Sequence, residues 1–152
     1  AMTGWRLGYL IAPKEFIRPM QKLQQNLFIS ASSFSQWGAL AGLKQAGREV
    51  ERMRQSYDRR RGYLIPRLKG RGFGITVEPT GAFYVLANAK RFSNDSYELA
   101  FDILVKAKVG IAPGIDFGSN AEGYLRFCYA NSMENIEEGM NRLERYLEEY
   151  QG

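Results

Sequence analysis

The period of the hydrophobic residues changes at residues 70–72, and this change most limits what the chain can fold into. Before it, apolar residues recur at helical spacing, and Val50, Met53 and Tyr57 do so in the longest of three segments. After it, two short segments alternate between inward and outward positions as β-strands do. A mainly helical part is therefore followed by a mixture of strands and helices, which predicts a mixed α/β (α+β) fold.

Periodicity and turn residues together predict the order of the elements. We expect Ser33, Ser96 and Ser132 to cap helices, because a serine hydroxyl accepts a hydrogen bond from the first helical turn. Pro66 predicts a bend or an early stop in the third helix. The predicted elements are a strand at 7–12, helices at 13–28, 34–46, 48–68, 97–106 and 132–150, a hairpin of 73–77 with 82–86, and strands at 109–112 and 123–130.

The composition is that of a globular chain of ordinary domain size. It has 152 residues, 45% of them hydrophobic and 24% charged. Its longest apolar run is far shorter than the roughly 20 residues that span a bilayer, so we expect no membrane partner. Cys128 is the only cysteine and cannot form an intrachain disulfide, which favours a reducing compartment, the cytoplasm. We expect it to be a buried, unreactive thiol.

The net charge of +5 raises the question of nucleic-acid binding. The arginines at 48–67 are interleaved with Glu49, Glu51 and Asp58, at spacings that form ion pairs along a helix. This pattern predicts a solvated helix and no nucleic-acid partner. The sequence has no histidine, which excludes the common His/Cys zinc sites and any histidine-based catalytic triad within it, so we expect no metal.

Four motifs resemble signposts of one enzyme family, in the family's usual order. They are Ala1, Met2, Gly4, Arg6, Leu7 and Gly8; Pro79 to Tyr84; Ala112, Pro113 and Gly114 with Phe117 and Gly118; and Leu125, Arg126 and Phe127. The chain resembles the C-terminal part of class I/II aminotransferases, the pyridoxal 5'-phosphate (PLP) enzymes of the type I fold that include aspartate aminotransferase. The resemblance places the family's Schiff-base lysine three positions before Ala1. It therefore implies that no catalytic residue lies in this sequence and that the sequence alone binds no PLP covalently.

The resemblance gives Arg6 the role of binding the PLP phosphate. An arginine can hold two phosphate oxygens with parallel charge-assisted hydrogen bonds, although an ordinary ion-paired arginine is the alternative. Gly4 and Gly8 are expected to be positions of close packing.

Arg126 matches the family's arginine that binds the substrate carboxylate, and Phe83 matches a residue near the substrate pocket in some members. Arg126 lies between Leu125 and Phe127 in an apolar strand, where an uncompensated charge is costly, so we expect an anionic partner. The alternatives are a core position for Phe83 and, for Arg126, an ion pair with Glu78, Glu122 or Glu134.

The resemblance also implies a domain organisation. Residues 1–47 would end the large PLP-binding domain, residues 48–70 would form a linker helix, and residues 71–152 would form a small domain with a short, mostly antiparallel sheet covered by helices. Without the rest of the large domain, residues 1–47 would expose Trp5, Tyr9 and neighbouring apolar surface.

Three functions remain open from the sequence. The parent could be a homodimeric aminotransferase that moves an amino group between an amino acid and a 2-oxo acid, with the fragment itself inactive. It could instead be a carbon–sulfur lyase or an enzyme similar to aminocyclopropane-carboxylate synthase. A non-catalytic interaction module is the third alternative.

Overall fold

The chain divides into two compact units, Ala1–Arg52 and Met53–Gly152, in a computed structural model that describes residues 1–150. Short 3-10 turns lie at Thr3–Trp5, Gly114–Phe117 and Ser119–Ala121. The helices are α1 (Lys14–Leu27), α2 (Ser33–Gln45), α3 (Gly47–Gly70), α4 (Ser96–Ala107) and α5 (Met133–Glu149), and the strands are β1 (Tyr84–Asn88), β2 (Ala112–Pro113) and β3 (Tyr124–Cys128). The predicted mixed α/β class is confirmed.

The unit Ala1–Arg52 contains α1, α2 and the beginning of α3, and its first residues are irregular. The predicted strand at 7–12 is wrong, because no described residue pairs with this segment and a strand needs a neighbour for its backbone hydrogen bonds. Tyr9 is 81% exposed, and Trp5 is also exposed, as expected. This unit therefore presents much of its apolar surface.

A bend or an early stop was predicted at Pro66; helix α3 continues through Pro66 to Gly70, so the early stop does not occur. A proline inside a helix costs about 3 kcal/mol, because it removes one hydrogen bond and crowds the preceding turn. Leu64, Ile65 and Leu68 are all buried around it. Burying each such side chain contributes about 1.5–3 kcal/mol, which offsets the cost of the proline.

The sheet has three strands in the order β1-β3-β2, and both pairings are antiparallel. The predicted hairpin is wrong, because β1 pairs with β3 and the segment 73–77 contributes only a bridge between Gly74 and Asn88. Val85 lies opposite Phe127, and both are buried. The burial of Val85 and Phe127 favours the pairing of β1 with β3, which is distant in sequence. The turn at 78–81 had predicted that β1 pairs with the neighbouring segment 73–77.

The core of the unit Met53–Gly152 lies between one face of the sheet and the three helices α3, α4 and α5. Its most deeply buried apolar side chains include Leu68, Leu99, Ile103, Leu125 and Leu143. They come from every one of these helices and from β3. The helices therefore cover one face of the sheet, and the core lies between them and that face.

Helix α4 is capped by Asp95, whose carboxylate accepts a hydrogen bond from the Glu98 N–H at 2.8 Å. The predicted cap at Ser96 is wrong, because Asp95 has the extended backbone of a cap and Ser96 is already helical. The prediction for α5 is confirmed, since the Ser132 hydroxyl accepts from the Asn135 N–H at 3.2 Å.

Candidate functional site

The face of the sheet away from the core carries the candidate site. Along β3 the side chains alternate, with Leu125 and Phe127 buried and Arg126 only partly buried. Arg126 lies opposite Leu86 of β1 and opposite Ala112 of β2. Residues directly opposite each other in a sheet share a face, so Arg126 is at the centre of the open face.

Two aromatic rings contact the Arg126 guanidinium. Its central carbon lies 4.2 Å from the centroid of the Phe117 ring and 5.0 Å from that of Tyr84. These distances are those of cation–π contacts, in which the negative face of the ring attracts the cation. Tyr84 begins β1 and Phe117 ends the turn that follows β2, so each ring comes from a different neighbour of β3.

The side-chain nitrogen atoms of Arg126 have no hydrogen-bond partner in the part of the chain that the structure describes. Its Nε is buried and forms no hydrogen bond. No described carboxylate forms an ion pair with its guanidinium. Leaving a buried donor unsatisfied costs about 1–3 kcal/mol, and more for a charged group. The arrangement therefore fits an anion that binds from the open face.

Two of the carboxylates considered as partners for Arg126 are engaged elsewhere. Glu78 forms an ion pair with Lys69, and the hydrogen bond from Lys69 lowers the pKa of Glu78. Glu122 accepts hydrogen bonds from the backbone N–H groups of Ser96 at 2.7 Å and Gly123 at 2.9 Å. Hydrogen bonds from Ser96 and Gly123 lower the pKa of Glu122, which keeps that carboxylate ionised in a structural role.

The loop that carries Phe117 is built by close backbone packing. A Cβ atom at Gly114 would lie 1.9 Å from the carbonyl oxygen of Ala121, so only glycine fits there. The buried Ser96 hydroxyl accepts a hydrogen bond from the Ile115 N–H at 3.1 Å and so fixes the middle of the loop. Gly118 ends the turn with φ of 110°, a conformation that side chains disfavour. Phe117 is thus on a well-supported loop.

Phe83 is partly exposed and lies beside the same aromatic group. Its ring centroid is 5.5 Å from that of Tyr84 in an edge-on arrangement and 6.0 Å from that of Tyr57. Its backbone carbonyl accepts a hydrogen bond from the Tyr129 N–H at 2.8 Å. The structure thus connects Phe83 to Arg126 through Tyr84.

Arg6 belongs to the other unit, Ala1–Arg52, and has an unusual backbone. It follows the turn Thr3–Trp5 with φ of 51°, a left-handed conformation that is uncommon for any residue except glycine. Its side chain is exposed and donates one long hydrogen bond, 3.4 Å, to the carbonyl oxygen of Thr3. No carboxylate among the described residues pairs with it. Its guanidinium is therefore available to an anion.

The segment before Arg6 is held by α2. The buried Ser35 hydroxyl donates to the Trp5 carbonyl oxygen at 3.0 Å, and a Cβ atom at Gly38 would come within 2.5 Å of the indole ring. Close packing was predicted at Gly4 and Gly8, and this prediction is wrong, because nothing lies within 4 Å of a Cβ placed at either position. The close approach occurs at Gly38.

Cys128 ends β3 and is exposed, so the predicted buried thiol is wrong. The alternation of the strand explains this, because Cys128 shares the open face with Arg126 and the core face belongs to Phe127. Residues 1–150 contain no cluster of three His, Cys, Asp or Glu side chains that could hold a metal ion.

None of the helices in the described part of the chain combines the length and the apolar character that crossing a membrane requires.

Tyr84 and Phe117 were not predicted as parts of the site. Both lie in motifs that resemble signposts of the family, residues 79–84 and 112–118. Their role depends on the register of β3 with both neighbours, which alternation within one strand does not reveal.

The chain has a small antiparallel sheet with an unpaired arginine on its open face, and its structural neighbours are aminotransferases of the type I fold. The chain belongs to the aminotransferase class I and II family, whose model matches residues 1–143.

Named relatives support this assignment along almost the whole chain. The chain is 44% identical over 148 residues to the (5-formylfuran-3-yl)methyl phosphate transaminase of Methanocaldococcus jannaschii, covering 97% of this chain and 39% of that protein. It is 41% identical over 151 residues to an aspartate aminotransferase of Pyrococcus horikoshii, covering 97% of this chain and 38% of that protein. The chain thus spans well under half the length of the curated relatives it matches.

A solved structure agrees. The crystal structure of an aromatic aminotransferase from Pyrococcus horikoshii OT3 matches with a TM-score of 0.90 at 40% identity, covering 97% of this chain and 40% of that one. Both the backbone arrangement and the sequence therefore indicate the same family.

Proposed function

We propose that this chain is the C-terminal part of a PLP-dependent aminotransferase that transfers an amino group between an α-amino acid and a 2-oxo acid. The observation that carries the proposal is the unpaired Arg126 guanidinium, with its buried and unsatisfied Nε, on the open face of the sheet. Both substrates of a transamination present a carboxylate next to the reacting carbon. A planar arginine that binds this group would orient the Cα–H bond for reaction.

Arg6 is proposed to bind the phosphate of PLP. Its exposed guanidinium, without a carboxylate partner among the described residues, fits a phosphate dianion. When bound, PLP supplies an electron-withdrawing ring that stabilises negative charge at the substrate's α-carbon. Phe83 is proposed to border the substrate through its contact with Tyr84.

The proposed lysine that binds PLP covalently precedes Ala1, so residues 1–152 alone are proposed to be inactive. The seven lysines of the printed sequence all follow the motif around Arg6, whereas the family's lysine precedes it. Incubation of residues 1–152 with PLP, then borohydride and mass spectrometry, is expected to leave no residue specifically labelled. Stoichiometric labelling of a single lysine would contradict this expectation.

The proposed activity is tested in a full-length parent that contains this chain, with amino-acid donors and 2-oxo acids. A new amino acid is expected, and Arg126→Lys is expected to raise KM for both substrates by about ten-fold or more, because one point charge replaces a bidentate donor. Arg6→Ala is expected to weaken PLP binding. Release of ammonia or a thiol without a new amino acid would instead indicate a lyase.

We also propose that the parent is a cytoplasmic homodimer. In the unit Ala1–Arg52, exposed apolar side chains such as Tyr9, Leu27 and Trp37 need to be covered by other parts of the parent or by its second copy. Light scattering on the purified parent tests the dimer, and a monomer at high concentration would contradict it.

A further inference from the structure

The aromatic contacts of Arg126 raise the question of what holds its side chain in place. A free arginine side chain loses conformational entropy when it is fixed in one conformation. In the described residues the Arg126 guanidinium has neither a hydrogen bond nor an ion pair to fix it. Its close contacts that the structure records are the rings of Phe117 and Tyr84.

These ring contacts leave the side-chain donors of Arg126 without a hydrogen-bond partner in the described residues. A guanidinium over a ring is attracted through its positive charge, and this attraction uses none of its five N–H donors. A carboxylate side chain that contacted Arg126 in place of the rings would instead occupy two of these N–H donors. Rings can therefore orient the guanidinium and keep it available for an incoming anion.

The two rings are themselves well supported. Phe117 ends a loop that is held by the packing at Gly114 and by the Ser96 hydroxyl. Tyr84 is part of β1, where it lies opposite Cys128, and its ring contacts Phe83 edge-on. Since β1 and β2 flank β3, Tyr84 reaches Arg126 from strand β1 on one side and Phe117 from the turn after β2 on the other.

We propose that Phe117 and Tyr84 are positioning residues that orient the Arg126 guanidinium for a carboxylate. This inference rests on the proposed function only for the identity of the bound group. Removal of either ring leaves the charge of Arg126 unchanged and frees its side chain. We therefore expect Nε to become less ordered. We also expect the affinity for a carboxylate to fall by about five-fold, as for a cation–π contact of ordinary strength.

Nuclear magnetic resonance of the ¹⁵N-labelled 152-residue chain tests the proposal. The Arg126 Nε–H signal is assigned by its loss in Arg126→Lys, and its heteronuclear Overhauser effect reports order on the picosecond to nanosecond timescale. Phe117→Leu and Tyr84→Leu are expected to lower this value. Tyr84→Phe keeps the ring and is expected to leave the value as in the wild-type chain. Phe101→Leu is the matched control, because Phe101 is 48% exposed like Phe117 and its ring contacts Tyr97, and none of the cation–π contacts recorded among the described residues involves Phe101.

Titration with sodium succinate, against sodium chloride at equal ionic strength, separates this inference from the proposed function. Succinate is expected to shift the Arg126 signal in the wild-type chain, with about five-fold weaker binding in the leucine variants. Wild-type order at Nε in both Phe117→Leu and Tyr84→Leu would overturn the positioning role, whether or not succinate binds. A wild-type signal that succinate leaves unmoved, while the leucine variants still lose order, would support positioning and contradict the carboxylate role alone.

Discussion

Arg67 on α3 and Glu144 on α5 form an ion pair, with 2.7 Å between Nη2 and Oε2. The Glu144 side chain is only 15% exposed and also binds Arg71 at 2.9 Å. Asn141 accepts a further hydrogen bond from Arg67 at 3.0 Å. These contacts attach the C-terminal end of α3 to α5.

Replacement of Glu144 by Gln is expected to destabilise the fold. The substitution leaves two arginines without their shared carboxylate in a partly buried place, so we expect the free energy of unfolding at pH 7 to fall by about 1–3 kcal/mol. Urea denaturation measures the change. Glu138→Gln is the matched control, because Glu138 pairs with Arg142 on the exposed side of α5 and such pairs contribute little. Equal effects of the two substitutions would contradict the importance of the partly buried pair.

The contribution of Glu144 is expected to disappear in acid. The hydrogen bond from Arg67, and then that from Arg71, lower the pKa of Glu144 below its ordinary value. A carboxylate with a lowered pKa in the folded state stabilises the protein fully above the unfolded pKa of about 4.3 and loses this effect as pH falls through the folded pKa. The difference in unfolding free energy between wild type and Glu144→Gln should therefore be constant from pH 7 to about pH 5 and shrink below that range. A difference in unfolding free energy that grows as the pH falls would contradict this prediction.

Gly114→Ala is expected to disrupt the loop that carries Phe117. The new Cβ would lie 1.9 Å from one backbone oxygen and 2.6 Å from another, and backbone cannot move aside as a flexible side chain can. We expect a loss of at least about 2 kcal/mol in unfolding free energy, measured by thermal or urea denaturation. Gly110→Ala is the control, since nothing lies within 4 Å of a Cβ at that position. Equal unfolding free energies of the two variants would contradict the close backbone packing around Gly114.

Cys128 is expected to react with a thiol reagent in the folded chain. It is exposed at the end of β3, so Ellman's reagent should label one equivalent per chain without denaturant, and Cys128→Ser should abolish the reaction. Labelling that begins only when urea unfolds the chain would contradict the exposed position.

The helices could be predicted closely because their periodicity is local. The helix expected at 97–106 is found at Ser96–Ala107, and its inward positions Leu99 and Ile103 are buried. The strands were predicted less well, since the partner of Val85 is Phe127, far along the chain. A turn between 78 and 81 predicts a hairpin, but the pairing of β1 with the distant β3 buries Val85 and Phe127 in the core and is the one that forms.

Parts of the candidate site were accessible to sequence analysis and other parts were not. Arg126 could be singled out because a charge between two apolar strand residues requires an explanation, and its lack of an internal ion pair agrees with that reasoning. The rings of Phe117 and Tyr84 meet it only through the register of three strands. The left-handed backbone of Arg6 could not be predicted either, because glycine is the residue type that signals this conformation and position 6 is an arginine.

The central place of β3 has a consequence for biosynthesis. Both strand ladders of the described sheet include β3, and its partners β1 and β2 precede it in the chain. During translation neither ladder can form until the ribosome has released the residues through Cys128, so β1 must wait without a partner strand while α4 and β2 are made. A nascent chain stalled before this point would expose the edges of β1 to chaperones and to other copies, and Arg126 would enter its place in the same late step that completes the sheet.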